Sequence, residues 1–315
     1  MAHVPVLLKE SIEGLDLRAD DIVVDGTVGG AGHSEAILRA EPTVTLIGID
    51  LDEDALARGE KNLRPLAGQD KLHLFQGNFS TFDAFLKKVG LDHADKILLD
   101  LGWSSFQIDG DENGGSGRGF SFQKDEPLRM TYTKHPTEET LTAEEIVNEW
   151  EEKNIADVIY GYGEETYSRR IAKAIVDARE ALAVMSKRIS TTKELAEIVT
   201  NAVPFWYRKG RLHPATKTFQ ALRIAVNAEL DHLAHFLSIA PGLVAVNGRI
   251  AIISFHSLED RIVKRRFREL ADGEAGQAAG EWKLVNKKPI IGTDEEVRAN
   301  PRSRSAKLRI IERIA

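Results

Sequence analysis

Three aspartates, Asp25, Asp50 and Asp100, each follow directly on a run of apolar residues. Apolar runs of this length, rich in β-branched residues, are typical of strands buried in a parallel sheet. Because the carboxyl ends of parallel strands meet at one edge of a sheet, we expect the three carboxylates to face a common ligand. Carboxylates at one place favour a cationic ligand.

A glycine-rich segment begins at the first of these acids and runs from Asp25 to Ser34. It follows the apolar run 22–24 and precedes the helix-forming residues 35–39, so it predicts a strand, a tight turn and the start of a helix. Glycines let such a turn adopt positive φ and bring the backbone close to a ligand. Taken alone, the segment fits an empty turn, a dinucleotide site or a site for a methyl donor.

Two phosphate-binding alternatives fit the glycine-rich segment poorly. The dinucleotide fingerprint requires a third small residue where this chain has Glu35, and no Gly-Lys-Ser/Thr follows the turn as in a Walker loop. Asp50 lies about 20 residues beyond the turn, where nucleotide-binding α/β folds hold ribose hydroxyls. A nucleoside ligand that is cationic and carries no phosphate satisfies both observations, and S-adenosylmethionine is such a ligand.

Composition bounds the class of protein. The 315 residues are 42% hydrophobic, contain no cysteine and carry a net charge of −7. Without cysteine the chain can form neither disulfides nor thiolate zinc sites, and we expect no other metal. We expect a cytoplasmic protein, because no signal peptide or membrane-length apolar run is present. Positive charge is concentrated late in the chain, in residues 204–217, 261–268 and 302–313, which favours local rather than indiscriminate binding of nucleic acid.

The middle of the chain changes character. A polar, glycine-rich stretch at 109–117 leads into helical patterns from 142 to about 203, and a fifth strand is expected at 249–254. The predicted fold is therefore α/β, with a helical subdomain inserted into a Rossmann-like sheet. We place a first part of the sheet domain at 1–109, the inserted loop and helical substrate-recognition subdomain at 110–212, and the second part of the sheet domain at 213–315.

A helix predicted from Thr216 carries a polar stripe that includes Arg223 and Asn227 beside its apolar face. Such a stripe is either a solvated surface or a buried or substrate-facing network, and the sequence alone leaves both open. His256 follows the expected fifth strand and should therefore lie at the same edge of the sheet as the three acids.

Together these motifs resemble one known family. The chain is similar to the RsmH (MraW) family over residues 3 to about 309. The matching segments are His3-x-Pro-Val-Leu-Leu8, Asp25-Gly-Thr-x-Gly29 with Gly32-His-Ser34, Asp100-Leu-Gly-x-Ser-Ser-x-Gln-x-Asp109, Arg118-Gly-Phe-Ser-Phe122, Gly163-Glu-Glu165, His213-Pro-Ala-Thr-x-x-Phe-Gln-Ala-Leu-Arg-Ile224, Ser254-Phe-His-Ser-Leu-Glu-Asp-Arg261 and Asn300-Pro-Arg-Ser-Arg-Ser-Ala-Lys-Leu-Arg309.

The resemblance implies a class I methyltransferase fold and transfer of a methyl group from S-adenosylmethionine to N4 of a cytidine near the decoding centre of small-subunit (16S) ribosomal RNA. The family's cofactor contacts fall here on Ala31, Gly32, His33, Asp50, Phe79, Asp100 and Gln107. From the residues alone, an isolated Phe such as Phe79 is more typical of a core. The chain departs from the family pattern at Ala31, at Trp103 and in the segment 128–132.

An acceptor that bonds an N4 proton would localise the lone pair of the cytosine amine, and Asp100, Ser104 and Ser105 occupy the expected place for it. The residues expected to contact the substrate are Arg118, Arg223, Asn227, His256, Arg302 and Arg304. The expected partner is small-subunit ribosomal RNA, within a ribosomal particle and not at a membrane. Monomer and homodimer both stay open, as do a methyltransferase acting on another RNA, a protein or a small molecule, and a non-catalytic RNA-binding module.

Overall fold

The computed structural model describes residues 5–102, 116–273 and 281–315. The chain divides into two compact units: Met1–Gly102 together with Leu230–Ala315 forms unit 1, and Trp103–Glu229 forms unit 2. These boundaries differ from the expected ones at 110 and 213, because the segment 213–229 packs within unit 2. A continuous unit 2 thus interrupts a discontinuous unit 1.

Unit 1 contains a seven-stranded sheet in the order β3-β2-β1-β4-β5-β7-β6. The first five strands are parallel to one another, whereas β7 runs antiparallel to both β5 and β6. The strands are β1 Ile22–Asp25, β2 Thr45–Asp50, β3 Leu72–Gln76, β4 Ala94–Asp100, β5 Val244–Ser254, β6 Trp282–Leu284 and β7 Lys307–Arg313. The first five strands agree with the sequence prediction, in which residues 72–75 form the third strand, whereas β6 and β7 are not predicted from the sequence.

Helices cover both faces of this sheet. They are α1 Leu8–Leu15, α2 Gly32–Ala40, α3 Glu53–Leu63, α4 Phe82–Lys88, α10 Glu229–Ile239, α11 Ser257–Asp272 and α12 Asp294–Ala299. Alternate strand residues enter separate hydrophobic clusters: in β4, Ile97 and Leu99 belong to one cluster and Leu98 to the other. Because successive strand residues point to opposite faces, this alternation marks a sheet buried on both sides.

Unit 2 is built mainly from helices around a core of its own. The helices are α5 Ala143–Glu149, α6 Glu152–Gly163, α7 Ser168–Ala183, α8 Thr192–Ala202 and α9 Thr216–Asn227. A Cβ atom at Gly163 would lie 2.6 Å from the carbonyl oxygen of Lys217, so glycine permits α6 and α9 to pack closely. Across the three described ranges, no helix combines the length and the apolar character needed to cross a membrane.

Gly26 is expected to tolerate no side chain. Its N–H donates to the carbonyl of Leu98 at 3.0 Å, and an added Cβ would lie 2.3 Å from Leu99 Cδ2 and 2.9 Å from Phe79 Cβ. We expect Gly26→Ala to lower the free energy of unfolding by about 1–3 kcal/mol, measured by chemical denaturation. Gly242→Ala is the matched control in the same unit, because a Cβ there meets nothing within 4 Å. Equal effects of the two substitutions would contradict this prediction.

Candidate active site

The ends of β1, β2 and β4 lie at the same edge of the sheet. Asp25 is in register with Gly48 of β2 and with Leu98 of β4, and Asp50 and Asp100 end their own strands. The edge is therefore lined by carboxyl groups from neighbouring strands. It is also where the glycine-rich turn 26–31 leaves β1 and enters α2.

Asp25 shapes the turn. One carboxylate oxygen accepts the N–H of Thr27 at 3.1 Å, and the other accepts a short hydrogen bond from the Ser34 hydroxyl. The side chain is 1% exposed, and its burial raises the pKa of this carboxyl group. The two bonds tie both ends of the turn to the end of β1.

Asp50 fixes the tip of the same turn from the neighbouring strand. Its carboxylate accepts the N–H of Gly29 at 2.7 Å and the N–H of Asp52 at 2.8 Å. Burial nevertheless raises the pKa of Asp50 to about 6, with the two backbone N–H groups opposing this shift. Each oxygen of a carboxylate can accept more than one hydrogen bond, so Asp50 retains acceptor capacity for a hydroxyl group of a ligand.

Asp100 is the acid whose hydrogen bonding is incomplete. Its N–H donates to the Thr27 hydroxyl at 2.7 Å, which joins β4 to the turn. Its Oδ1 atom is buried and has no hydrogen-bond partner among the described residues. Burial raises the pKa of this carboxyl group to about 7, although the positive charge of Arg302 lowers it. A buried acceptor without a donor is costly to the free protein, so this atom indicates a place for a ligand.

His33 lies beside Asp100 and is held as a neutral ring. Its Nε2 lies 3.1 Å from the carbonyl oxygen of Val6, and its Nδ1 lies 3.7 Å from Asp100 Oδ2. Burial lowers the pKa of this imidazole. A neutral ring that donates through Nε2 has its lone pair on Nδ1, so it faces Asp100 as an acceptor.

The amino-terminal motif closes the other side of the turn. Pro5 lies against the backbone of Gly32, where a Cβ would be 2.2 Å from Pro5 Cγ. Ala31 precedes α2 with φ of 64°, a left-handed conformation in which glycine is the usual residue. The departure from the family pattern at Ala31 therefore falls on a conformation that strains alanine without removing its backbone N–H.

Phe79 lies at the same edge of the sheet but is also part of the core. It packs edge to face on Phe236, with ring centroids 5.8 Å apart, and its Cβ approaches the backbone of Gly26. The residue is only partly buried. The structure thus places Phe79 next to the glycine-rich turn, and both the core and the ligand interpretations of its side chain are compatible with that position.

The remaining predicted residues of unit 1 take different positions. His256 caps α11: its Nδ1 accepts the N–H of Glu259 at 3.4 Å, and Glu259 accepts the N–H of His256 in return. Arg302 and Arg304 lie in a short 3₁₀ turn before β7, and Arg302 acts electrostatically on Asp100. Ser104, Ser105 and Gln107 lie outside the described residues.

In unit 2, Arg223 and Asn227 resolve the question of the polar stripe. Arg223 is 4% exposed and makes two hydrogen bonds to Glu229, at 2.7 and 2.8 Å. The Asn227 amide accepts the N–H of Tyr132 at 2.9 Å and donates to the carbonyl of Met130 at 2.7 Å. Arg223 and Asn227 therefore belong to a hydrogen-bond network in which Arg223 is buried and Asn227 partly buried, and not to a solvated face. These contacts favour a positioning role for both residues.

Arg118 belongs to the same network. Its guanidinium donates to the Tyr132 carbonyl at 2.7 Å, and its own carbonyl accepts the N–H of Met130. The Tyr132 ring stacks on Phe120 at 5.5 Å, and its hydroxyl donates to Glu229 at 2.9 Å. The segment that departs from the family pattern is thus held firmly by partners within unit 2.

Sequence reasoning missed two contacts at the sheet edge. Thr27 was treated only as part of the turn, yet its hydroxyl accepts the Asp100 N–H from a residue 73 positions away. Arg302 was assigned to the substrate alone, whereas its charge also acts on Asp100. Neither contact has a local sequence signal, because each depends on the order of the strands.

A sequence model of the MraW methylase family matches residues 1–314 of this chain. The chain belongs to the MraW methylase family. Full-length relatives include three proteins named ribosomal RNA small subunit methyltransferase H. That of Treponema denticola is 45% identical, with 99% of this chain and 97% of the relative covered. That of Trichodesmium erythraeum is 43% identical, with 100% of this chain and 100% of the relative covered. That of a Synechocystis strain is 44% identical, with 99% of this chain and 93% of the relative covered.

The fold is that of the class I S-adenosylmethionine-dependent methyltransferases, with a helical unit inserted after β4. The methyl donor of this MraW-family enzyme is S-adenosylmethionine. The sheet edge fits that donor, since a buried carboxylate oxygen of Asp100, to which no described residue donates, adjoins the turn and suits a cationic ligand. The expectation drawn from the acids and the missing third glycine is confirmed for the cofactor.

Proposed function

We propose that this chain transfers the methyl group of S-adenosylmethionine to N4 of a cytidine in small-subunit ribosomal RNA. The observation that carries the proposal is the sheet edge beside a glycine-rich turn, where Asp100 Oδ1 lies buried with no hydrogen-bond partner in residues 5–102, 116–273 and 281–315. The substrate class is supported by full-length relatives named for the ribosomal RNA of the small subunit. The atom N4 is supported by the resemblance of the motifs.

The cofactor contacts are proposed residue by residue. Asp50 would accept hydrogen bonds from the ribose hydroxyls, and the backbone of Ala31, Gly32 and His33 would line the donor. The N–H groups of Gly32 and His33 begin α2 and lack intrahelical partners, whereas the N–H of Ala31 donates to the carbonyl of Val28. A further set, proposed from the family pattern, consists of Phe79, Asp100 and Gln107. When bound, S-adenosylmethionine supplies an electrophilic methyl group on a cationic sulfur.

Positioning should provide most of the rate enhancement, because methyl transfer needs the nitrogen in line with the methyl group and its sulfur. Asp100 would accept a hydrogen bond from N4–H of the cytosine and stabilise the positive charge that develops on the amine. Ser104 or Ser105, which lie four and five residues after the end of β4 in sequence, would contact the same amine. The positive charge of Arg302 would favour the ionised form of Asp100 by lowering its pKa. Arg304 would contact a phosphate of the substrate.

The serine assignment makes a specific prediction. We expect at least one of Ser104→Ala and Ser105→Ala to lower the methyl-transfer rate by about 10- to 100-fold, as for loss of one oriented hydrogen bond in a transition state. The dissociation constant for S-adenosylmethionine should be unchanged in both variants, because the serines are assigned to the acceptor. Wild-type transfer rates in both variants would contradict the assignment.

The proposed function is tested by following labelled methyl from S-adenosylmethionine into naked 16S RNA and into small-subunit particles of different maturity. The expected product after digestion is N4-methylcytidine. We expect more transfer into particles than into naked RNA, and we place the reaction in the cytoplasm. Label on another nucleoside, on ribosomal protein or on a small molecule would contradict the proposal. Binding of RNA without any transfer would instead favour a non-catalytic module.

A further inference from the structure

A loop between α8 and α9 carries three successive aromatic residues, Phe205, Trp206 and Tyr207. Basic residues follow them, and no acidic residue occurs from 204 to 217. We call residues 204–212 the aromatic loop. Its basic residues belong to one of the late positive segments of the chain, but its aromatic side chains have no role in the function proposed above.

Two of these aromatic side chains are open to solvent. Phe205 is 68% exposed and Trp206 is 67% exposed. Aromatic rings of this size are highly buried on average in folded proteins, because their burial is strongly favourable. Adjacent rings that both stay exposed therefore indicate a surface that is covered by a binding partner.

The aromatic loop is held in place from below. The hydroxyl of Tyr207 donates to Glu165 Oε2 at 2.6 Å, and the other oxygen of this buried carboxylate accepts the N–H of Tyr167 at 2.8 Å. The ring of Tyr167 packs edge to face on Tyr207 at 5.1 Å and on Trp206 at 6.2 Å. Trp206 is thus exposed on a loop whose conformation is fixed by these contacts, which reduces the conformational entropy lost when a partner binds.

The charges beside the rings indicate what kind of partner fits. Lys209 Nζ lies 4.7 Å from the centre of the Phe205 ring, and both Lys209 and Arg211 are exposed. Arg208 differs, because its guanidinium donates to the backbone carbonyls of Asn201 and Val203. An apolar protein surface would desolvate the two exposed cations, whereas a nucleic-acid strand would supply phosphates to them.

Exposed aromatic rings next to cationic side chains are a pattern by which proteins bind single-stranded RNA. Unpaired bases stack on aromatic side chains while the backbone phosphates contact Lys and Arg. In duplex RNA the bases are already stacked on one another and do not reach such rings. The combination therefore selects an unpaired segment over a helix.

We propose that the aromatic loop is a binding platform for unpaired RNA, in which Phe205 and Trp206 stack on bases and Lys209 and Arg211 contact phosphates. This inference rests on the proposed function in taking RNA as the substrate. It adds a second point of contact in unit 2 and a structural class, single-stranded rather than duplex, for the RNA bound there.

The test is fluorescence anisotropy of the full chain with a labelled single-stranded RNA of mixed sequence and with a hairpin duplex of equal length. Because each ring would lose its stacking on a base, Phe205→Ala with Trp206→Ala should weaken single-strand binding at least about tenfold. The double variant should bind the duplex within about threefold of wild type. The conservative pair Phe205→Tyr and Trp206→Phe should retain single-strand affinity.

Tyr160→Ala is the matched control, because this aromatic residue of unit 2 is also 65% exposed but lies on α6. It should leave both affinities unchanged, and thermal melting should show that every variant is folded. Lys209→Gln and Arg211→Gln should each reduce the dependence of log affinity on log salt by about 0.7.

Wild-type single-strand affinity in the alanine double variant overturns the platform, as does an equal loss in Tyr160→Ala. The platform is also overturned, in favour of a protein partner, if the alanine double variant keeps its RNA affinity but loses binding to a ribosomal protein. These results leave methyl transfer by the wild-type chain intact, and so they are separate from failure of the proposed function, in which no RNA is methylated.

Discussion

Asp100→Asn is expected to lower the affinity for S-adenosylmethionine at least about tenfold and to raise the melting temperature of the ligand-free protein by several degrees. The carboxylate loses its charge, and with it the attraction for a cationic donor. The same charge is costly without a ligand, because Asp100 Oδ1 is buried and the described part of the chain offers it no hydrogen-bond donor. Calorimetric titration and differential scanning calorimetry measure the two effects.

The direction of the stability effect follows from the pKa. Burial raises the pKa of Asp100 to about 7 in the folded protein, whereas an unfolded chain has about 3.8. The folded state therefore binds more protons between these values, and it loses stability as the pH rises toward 7. Asn carries no charge at any pH, so the variant should gain about 1–3 kcal/mol above pH 7 and nothing near pH 4.

The matched control for this substitution is Asp92→Asn in the same unit, where the carboxylate is 96% exposed. It should change neither the donor affinity nor the melting temperature by a measurable amount. Unchanged binding in Asp100→Asn would remove this acid from the cofactor site. A lower melting temperature at high pH would show that the buried carboxylate has a stabilising partner.

Acidification from about pH 8 to about pH 5.5 is expected to weaken S-adenosylmethionine binding by about 30-fold or more. Asp100, with a pKa of about 7, becomes protonated first in the free protein, and Asp50, with a pKa of about 6, follows. A cationic ligand prefers the ionised acids, so its affinity should rise with pH and level off above about 7. Isothermal titration at several pH values measures this profile.

S-adenosylhomocysteine provides the control for the pH profile, because it lacks the sulfonium charge but has the same nucleoside. Its affinity should depend less on pH than that of the donor. The Asp100→Asn variant should lose the part of the profile near pH 7 and retain the part near pH 6 that belongs to Asp50. A donor affinity that is constant between pH 6 and 8 would contradict the proposed contact with Asp100.

The parallel part of the sheet was predictable because its residues carry their signal locally. The three residues directly before each of Asp25, Asp50 and Asp100 carry no polar side chain, as burial on both faces requires. The end of each run marks the carboxyl edge of the sheet. Acids there could be read as site residues before their contacts were known.

The antiparallel strand β7 was not predicted, although Leu308 and Ile310 are buried and the intervening Arg309 is charged. Arg309 is only 8% exposed because its guanidinium donates to Asp260 in α11 at 2.7 Å. Read alone, this segment looks basic and exposed. Its place beside β5 depends on pairing with residues 53 to 63 positions earlier, from Ser254↔Lys307 to Arg249↔Glu312, which no local pattern encodes.

The polar stripe of α9 shows the same limit. Asn227 ends the helix, and Ala228 takes a left-handed conformation with φ of 47° that turns the chain and places Glu229 against Arg223. The helical period could not distinguish this fold-back from a solvated face. The hydrogen-bond network of this stripe also depends on the backbone of residues 130–132, which forms hydrogen bonds with both the oxygen and the nitrogen of the Asn227 side chain.

The discontinuity of unit 1 has a consequence for the order in which the chain acquires structure during its synthesis. The strand β4 ends at Asp100, but its parallel neighbour β5 begins only at Val244. At about 5–20 residues per second, the ribosome needs on the order of 10–30 s to produce the intervening chain. During that interval the edge of β4 has no strand to pair with and is exposed to aggregation. Unit 2 is continuous and can fold first, so a nascent chain halted near residue 235 should protect the helices of unit 2 from proteolysis while the sheet is still incomplete.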